Sequence, residues 1–239
     1  MRRRFRSFVL TAGLLTLLLG VVGSVLGSVL KQEPTFYQKL SDLPEWDNGE
    51  RASGLMTRVQ DLKNDVRSKA DWAGKFHGDD VNAFCQENLC EGTSYANLLP
   101  KGFHSPRVVV EGDHIKLGLR YGHGFWSTVI WIELKAWLVK NDTNVIAVEL
   151  CGFKAGGLSI GCQTLLDTLS EAAHDSNIEV SWYRHDGNPV GLFRFYADQL
   201  RPTTQIHTFK IEEGAITVAG RTRLENAQAT APGLNAVGD

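Results

Sequence analysis

Hydrophobic positions follow three patterns along the chain, and each pattern predicts an element. Residues 8–30 are uncharged and mostly Leu, Val and Gly, with Gly13, Gly20, Gly23 and Gly27 among them. From 50 to 75, Leu55, Val59, Leu62, Val66 and Ala70 recur every three or four residues. That is the apolar stripe of a helix, and its opposite face carries Arg58, Asp61, Lys63, Asp65, Arg67 and Lys69. Both signs are present there, which favours packing on a domain over lying on a membrane, where Lys and Arg prevail. A second helix is expected through Val81, Ala83, Phe84 and Leu89, capped by Asp79 or Asp80 and followed by Gly92. Residues 93–105, with Pro100 and Gly102, read as a loop.

Beyond residue 105 the period falls to two. Val108 to Val110 is a short strand, Glu111 to His114 a turn, and Ile115, Leu117, Leu119 and Tyr121 alternate as in a half-buried strand. Trp126 to Lys140 reads as one long strand. Val129, Trp131, Glu133, Lys135, Trp137 and Val139 lie on one face and Ile130, Ile132, Leu134, Ala136 and Leu138 on the other. Asn141 to Asn144 turns the chain back into a partner strand, Val145 to Phe153. Gly156 to Gly161 leads into a helix over 163–174 with Leu165, Leu166 and Leu169 as its stripe. Asp186-Gly187-Asn188 signals a hairpin between Ile178–Arg184 and Val190–Tyr196. A last hairpin joins Ile206–Ile211 to Ala215–Ala219. Residues 222–239 are polar and aperiodic, as in a disordered tail.

The expected fold class is α+β: an N-terminal transmembrane helix, then an antiparallel, curved sheet of meander and hairpins packed on two or three helices. The expected divisions are a basic N-terminus (1–7), a spanning helix (8–30), a stalk and amphipathic helix (31–75, the stalk being 31–48), an α+β domain (76–221) and a tail (222–239). The spanning prediction rests on length. The 23 uncharged residues reach about 34 Å as a helix, at ~1.5 Å per residue, against a hydrocarbon core of about 30 Å. Arg2, Arg3, Arg4 and Arg6 precede the run, which places the N-terminus in the cytoplasm and the domain outside it, in the periplasm, on a cell inner membrane. A cleaved signal peptide is the competing reading. Its apolar region is usually about 7–15 residues with a small-x-small cleavage site, and Val25-Leu26-Gly27 is a poor match. Gly23-x-x-x-Gly27 would let two helices approach closely, although Gly is common in spanning helices.

Charge and chemistry narrow the function. Net charge is −2, so no global field recruits nucleic acid. Cys85, Cys90, Cys151 and Cys162 form no Cys-x-x-Cys pair, but an even count outside the cytoplasm permits disulfides; three pairings are possible, among them Cys85–Cys90 with Cys151–Cys162, and the sequence does not choose between them. The seven histidines form no zinc-protease pattern, and there is no nucleophile elbow or P-loop. No catalytic residue, metal ligand or cofactor site is therefore expected. His123, between Gly122 and Gly124, reads as an exposed turn residue. Arg184, Arg194 and Arg201, among Trp182, Tyr183, Phe193, Phe195 and Tyr196, read as ordinary cross-strand pairing.

Three motifs resemble a known family. Asp80-Val81-Asn82-Ala83 lies on a helix after the apolar run, Leu158-Ser159-Ile160-Gly161 precedes a helix, and the closing hairpin runs Ile211-Glu212-Glu213-Gly214-Ala215-Ile216-Thr217-Val218-Ala219-Gly220. In this they resemble the YpmS-like bacterial membrane-anchored proteins and, more loosely, the tubular lipid-binding (TULIP-like) domains. The resemblance spans about residues 76–220. It implies an extracytoplasmic fold in which a curved sheet wraps a long helix, with an apolar cleft for a lipid tail. The candidate apolar ligand or partner surface is Trp126, Ile130, Ile132, Leu134, Trp137, Leu165 and Leu169. The expected partners are membrane lipids through the N-terminal helix, a lipid ligand, or the subunits of a larger membrane complex; a hydrolase is the least supported reading.

Overall fold

A computed structural model of the chain describes residues 18, 20–41, 48–89, 93, 95–196, 199, 202–212 and 214–224. The whole basic N-terminus, residues 8–17 and 19 of the apolar run, Cys90, Gly92 and residues 225–239 of the expected tail lie outside them. Helix α1 is described over residues 20–30. Among the described residues, no helix is long and apolar enough to cross a membrane.

Part of the expected stalk instead belongs to the fold. Residues 35–41 form α2 (Thr35–Ser41), and Phe36, Tyr37 and Leu40 are buried. Pro34 opens the helix, and its carbonyl accepts the Tyr37 and Gln38 amides. Three large side chains on one face give this short segment a reason to pack that its length does not suggest. Helix α3 (Asn48–Ser68) follows. It stops earlier than the stripe to Ala70 implied, because residues 71–77 are claimed by a strand. That strand, β1 (Asp71–His77), pairs with the final strand of the chain, so a domain boundary at 75/76 falls inside it. Helix α4 (Gly78–Asn88) takes His77, not an aspartate, as its N-cap; Asp79 and Asp80 sit in its first turn.

Seven strands build the main antiparallel sheet: β2 (Phe103–Glu111), β3 (His114–Tyr121), β4 (Thr128–Leu138), β5 (Val145–Ala155), β6 (Leu158–Ser159), β7 (Glu179–His185) and β8 (Asn188–Arg194). Their order is β2-β3-β4-β5-β8-β7, with β6 beside β5. Register shifts between His104 and Arg107 and between Glu133 and Leu134 bend the sheet. The β7–β8 hairpin turns on Asp186 (φ 48°) and Gly187 (φ 87°), as that dipeptide predicted. Helix α5 (Gln163–Asp175) packs against β7.

The β2 edge is covered by α4, whose Asn82 Oδ1 accepts the Val108 amide at 3.1 Å. A second sheet, ordered β1-β10-β9, uses β9 (Thr204–Glu212) and β10 (Ala215–Thr222). Helix α3 lies on α4, β1 and β10, not against the large sheet's strands.

The joint between the two sheets is Asn144. It is fully buried and left-handed at φ 58°. Its Nδ2 donates to the Thr204 carbonyl at 2.8 Å, and its Oδ1 accepts the Ile206 amide at 2.7 Å. The side-chain amide thus completes β9 as a neighbouring strand would, while the Asn144 carbonyl accepts the Phe195 amide. A buried hydroxyl chain continues inward. Thr204 Oγ1 lies 3.4 Å from Thr222 Oγ1, which accepts from Trp72 Nε1 and donates to the Val66 carbonyl.

Asn144→Ala is expected to destabilise the fold by about 2–4 kcal/mol, because it strands a buried donor and acceptor and leaves a left-handed alanine. Asn144→Asp keeps the acceptor but sets a buried carboxylate against the Thr204 carbonyl, so it is expected to cost more. Urea unfolding of the two variants checks the order.

Candidate functional site

Strand register sorts the large sheet into two chemically different faces. Alternation and pairing place Val108 and Val110 (β2), Leu117 and Leu119 (β3), Ile130, Ile132 and Leu134 (β4), Val148, Leu150 and Phe153 (β5), and Phe193 (β8) on one side. The row is apolar from edge to edge. It is covered only in part. Val110, Ile146 and Leu150 are buried, near the end where β9 crosses β4 and reaches β2. Leu117, Leu119, Ile130, Ile132, Leu134 and Phe153 are half-buried.

The opposite face is mixed. Lys116, Arg120, Glu133, Lys135, Glu149 and Lys154 occupy it together with Trp131 and Trp137. Helix α2 straps across its Val109–Val129–Trp131 portion. The Tyr37 ring sits where any Cβ on Gly118 would lie 2.7 Å away, so that glycine is what admits the helix. Tyr37 Oη donates to the Ser105 carbonyl at 2.7 Å. Burial raises the Tyr37 pKa, while the nearby Arg120 guanidinium works against the rise. Arg120 in turn holds Glu33 at 2.7 Å. At the far end of this face, Lys135 pairs with Asp113 at 2.6 Å, and that bond holds the Asp113 carboxyl below its ordinary range.

The predicted surface residues therefore separate. Ile130, Ile132 and Leu134 share the apolar face. Trp137 lies on the opposite one. Trp126 is not in the strand at all: β4 begins at Thr128, and Trp126 closes a single 3₁₀ turn, Gly124–Trp126, 86% exposed. Leu165 and Leu169 are half-buried on α5, which packs on β7 through Trp182 Nε1 donating to Ser170 Oγ. They flank the apolar face at its far edge and do not line its centre. Leu117, Leu119 and Phe153 are added by register, which alternation within single strands does not reveal.

The candidate Cys151–Cys162 bridge is not formed. Both thiols are free, and Cys151 is the extra residue where the register shifts between β4 and β5. Cys85 is also free and buried, so a Cys85–Cys90 bridge is absent on its side.

Helix α1 meets the sheet at the end opposite Asn144. Thr128 Oγ1 donates to the Leu30 carbonyl and the Gly157 amide to the Val29 carbonyl. Gly156 permits this approach: a Cβ there would lie 2.3 Å from the Leu30 carbonyl oxygen. Thr128 begins the strand that continues into Ile130, Ile132 and Leu134, so the helix ends at the mouth of the apolar face. Between α1 and the Phe125–Trp126 turn lies an apolar groove of about 630 Å³. No protein-family model, curated protein or solved structure matches this chain.

Two expectations test this description. Leu150 and Leu119 share chemistry and face but differ in cover. Leu150→Ala is expected to cost about 2–5 kcal/mol and Leu119→Ala less than half of that, read as unfolding midpoints in urea. Burial pushes the Cys85 thiol up to about 11 from an ordinary 9.0. Between those values an unfolded thiol ionises and the folded one does not, so its contribution to stability is intact below pH 9 and is lost as pH rises towards 11. Mass spectrometry of the native protein should find Cys85 slow to alkylate, and Cys85→Ala should flatten the alkaline fall in melting temperature.

Proposed function

We propose that this chain is a single-pass membrane-anchored binding protein, and that its domain takes a lipid or other hydrophobic ligand on the apolar face of the large sheet. The observation that carries the reading is the half-covered row of Leu117, Leu119, Ile130, Ile132, Leu134 and Phe153. Large apolar patches on monomers usually mark interaction sites, and hydrophobic ligands take concave apolar ones. A surface of Leu, Ile, Val and Phe offers no nucleophile or base, so it suits binding rather than catalysis.

The anchor is part of the same reading. Leu18, Val21, Val22, Val25 and Leu26 are exposed on the side of the helix away from the domain, where water is a poor neighbour and lipid a good one. The uncharged run from residue 8 and the four arginines before it support an inner-membrane span with the domain in the periplasm. Because the end of α1 at Leu30 is bound by Thr128, a lipid leaving the bilayer would meet the start of the apolar face first. The resemblance to YpmS-like and TULIP-like proteins points in the same direction.

The same face would also suit a partner subunit of a larger membrane complex, and one experiment separates the two readings. The full chain is purified in mild detergent and examined by native mass spectrometry and lipid extraction. A binding protein retains at least one lipid per chain. Leu117→Asp with Ile132→Asp should lower that occupancy about tenfold or more, since a charge must be desolvated wherever an acyl chain lies. A lipid-free chain bound to a stoichiometric protein partner would favour the subunit reading instead.

A further inference from the structure

The loop joining β3 to β4 carries an exposure that the fold does not use. Phe125 is 71% exposed and Trp126 86%, their rings meeting edge to face at 5.4 Å. Tyr121, at the start of the loop, is also exposed. Tyr121 packs on Phe103, with ring centroids 5.0 Å apart, but Phe125 and Trp126 stand out from the domain and its packing does not account for them. They do have a fixed neighbour. Gly20, Gly23, Ser24, Gly27 and Ser28, the small-residue side of α1, face Phe125 and Trp126 across the groove. The Lys31 ammonium sits 3.0 Å from the Phe125 ring centroid.

That placement fixes the depth of the loop. Lys31 is the first charge after the uncharged run. Gly20 to Ser28 lie three to eleven residues inside it, about 5–16 Å along a helix. Phe125 stands level with Lys31, at the outer end of that stretch, and Trp126 lines the groove beside it. The loop is held there by the Thr128–Leu30 and Gly157–Val29 hydrogen bonds. Any bilayer that surrounds α1 therefore reaches Phe125 and Trp126 before it reaches the rest of the domain.

We infer that the Phe125–Trp126 turn seats in the headgroup–acyl boundary of the extracytoplasmic leaflet, as a second membrane contact beside the anchor; this rests on the anchor reading above. The chemistry fits that layer. Trp and Tyr carry an apolar body and a polar edge and concentrate at membrane interfaces, and a lysine at the end of a span reaches its ammonium to the headgroups. Two contacts fix the tilt of the domain, where one helix would leave it free to swivel. They also hold the mouth of the apolar face, at Thr128, against the leaflet.

The test uses the full chain reconstituted in vesicles of phosphatidylethanolamine and phosphatidylglycerol. The vesicles contain lipids brominated either near the carbonyl end or near the methyl end of the acyl chain. Co-flotation is measured alongside tryptophan emission. The expected result is co-flotation, with severalfold stronger quenching by the shallow bromines and most of that difference abolished in Trp126→Phe. Co-flotation with quenching that Trp126→Phe leaves unchanged would overturn the loop contact and spare the anchor. Failure to co-float would overturn both.

Discussion

The structure depends on a single buried amide. Asn144 is the point at which two sheets of different size and strand order become one body. Its side chain occupies both the donor and the acceptor of β9, in the way that a backbone neighbour would. A hydrophobic joint could have been as tight, but it would not have fixed register. An amide that must satisfy a carbonyl and an N–H two residues apart permits one alignment of β9 and penalises the others by stranding buried polar groups. The hydroxyls of Thr204 and Thr222 and the Trp72 indole extend the same constraint to β10, β1 and α3.

The placement of that joint determines what remains open. Closing the sheets together at the Asn144 end buries Val110, Ile146 and Leu150. The other end is left to α1 and the β3–β4 loop. The curved sheet therefore has a sealed end and a half-covered end, and α1 attaches at the second. Helix α2, on the opposite face, gives that side the core it would otherwise lack. The asymmetry between the faces is thus a consequence of which short elements found a seat. Gly118 provides the seat for α2 and Gly156 the one for α1.

The hairpins were legible because turn chemistry is local. Asp186-Gly187 and the residues up to Asn144 announce their turns without reference to the rest of the chain. Helix α5 and most of β3 to β5 were legible from period alone. What escaped the sequence depends on distant partners. Strand β1 has alternating Trp72, Gly74 and Phe76, but it follows directly on a helical stripe, and only pairing with β10 makes it a strand. Helix α2 is too short for a periodic signal and exists because Phe36, Tyr37 and Leu40 are covered. Of the candidate site, Ile130, Ile132 and Leu134 could be read from alternation. Trp137 could not be assigned, because a strand apolar on both faces does not disclose which face is strapped by a helix, and Trp126 could not because the 3₁₀ turn before β4 leaves no break in the apolar run. Asn144 read as an ordinary turn residue, since nothing local distinguishes an asparagine that joins two sheets.

The central claim is that the half-covered face of the large sheet holds an acyl chain. Its most direct measurement is crosslinking in membranes with a lipid carrying a photoactivatable group in its tail, followed by mapping of the labelled residues. The account predicts labels on Leu117, Leu119, Ile130, Ile132 and Phe153, with Lys116, Glu133 and Lys135 on the opposite face unlabelled. Labels confined to α1 and the Phe125–Trp126 turn, with none on the sheet, would contradict it.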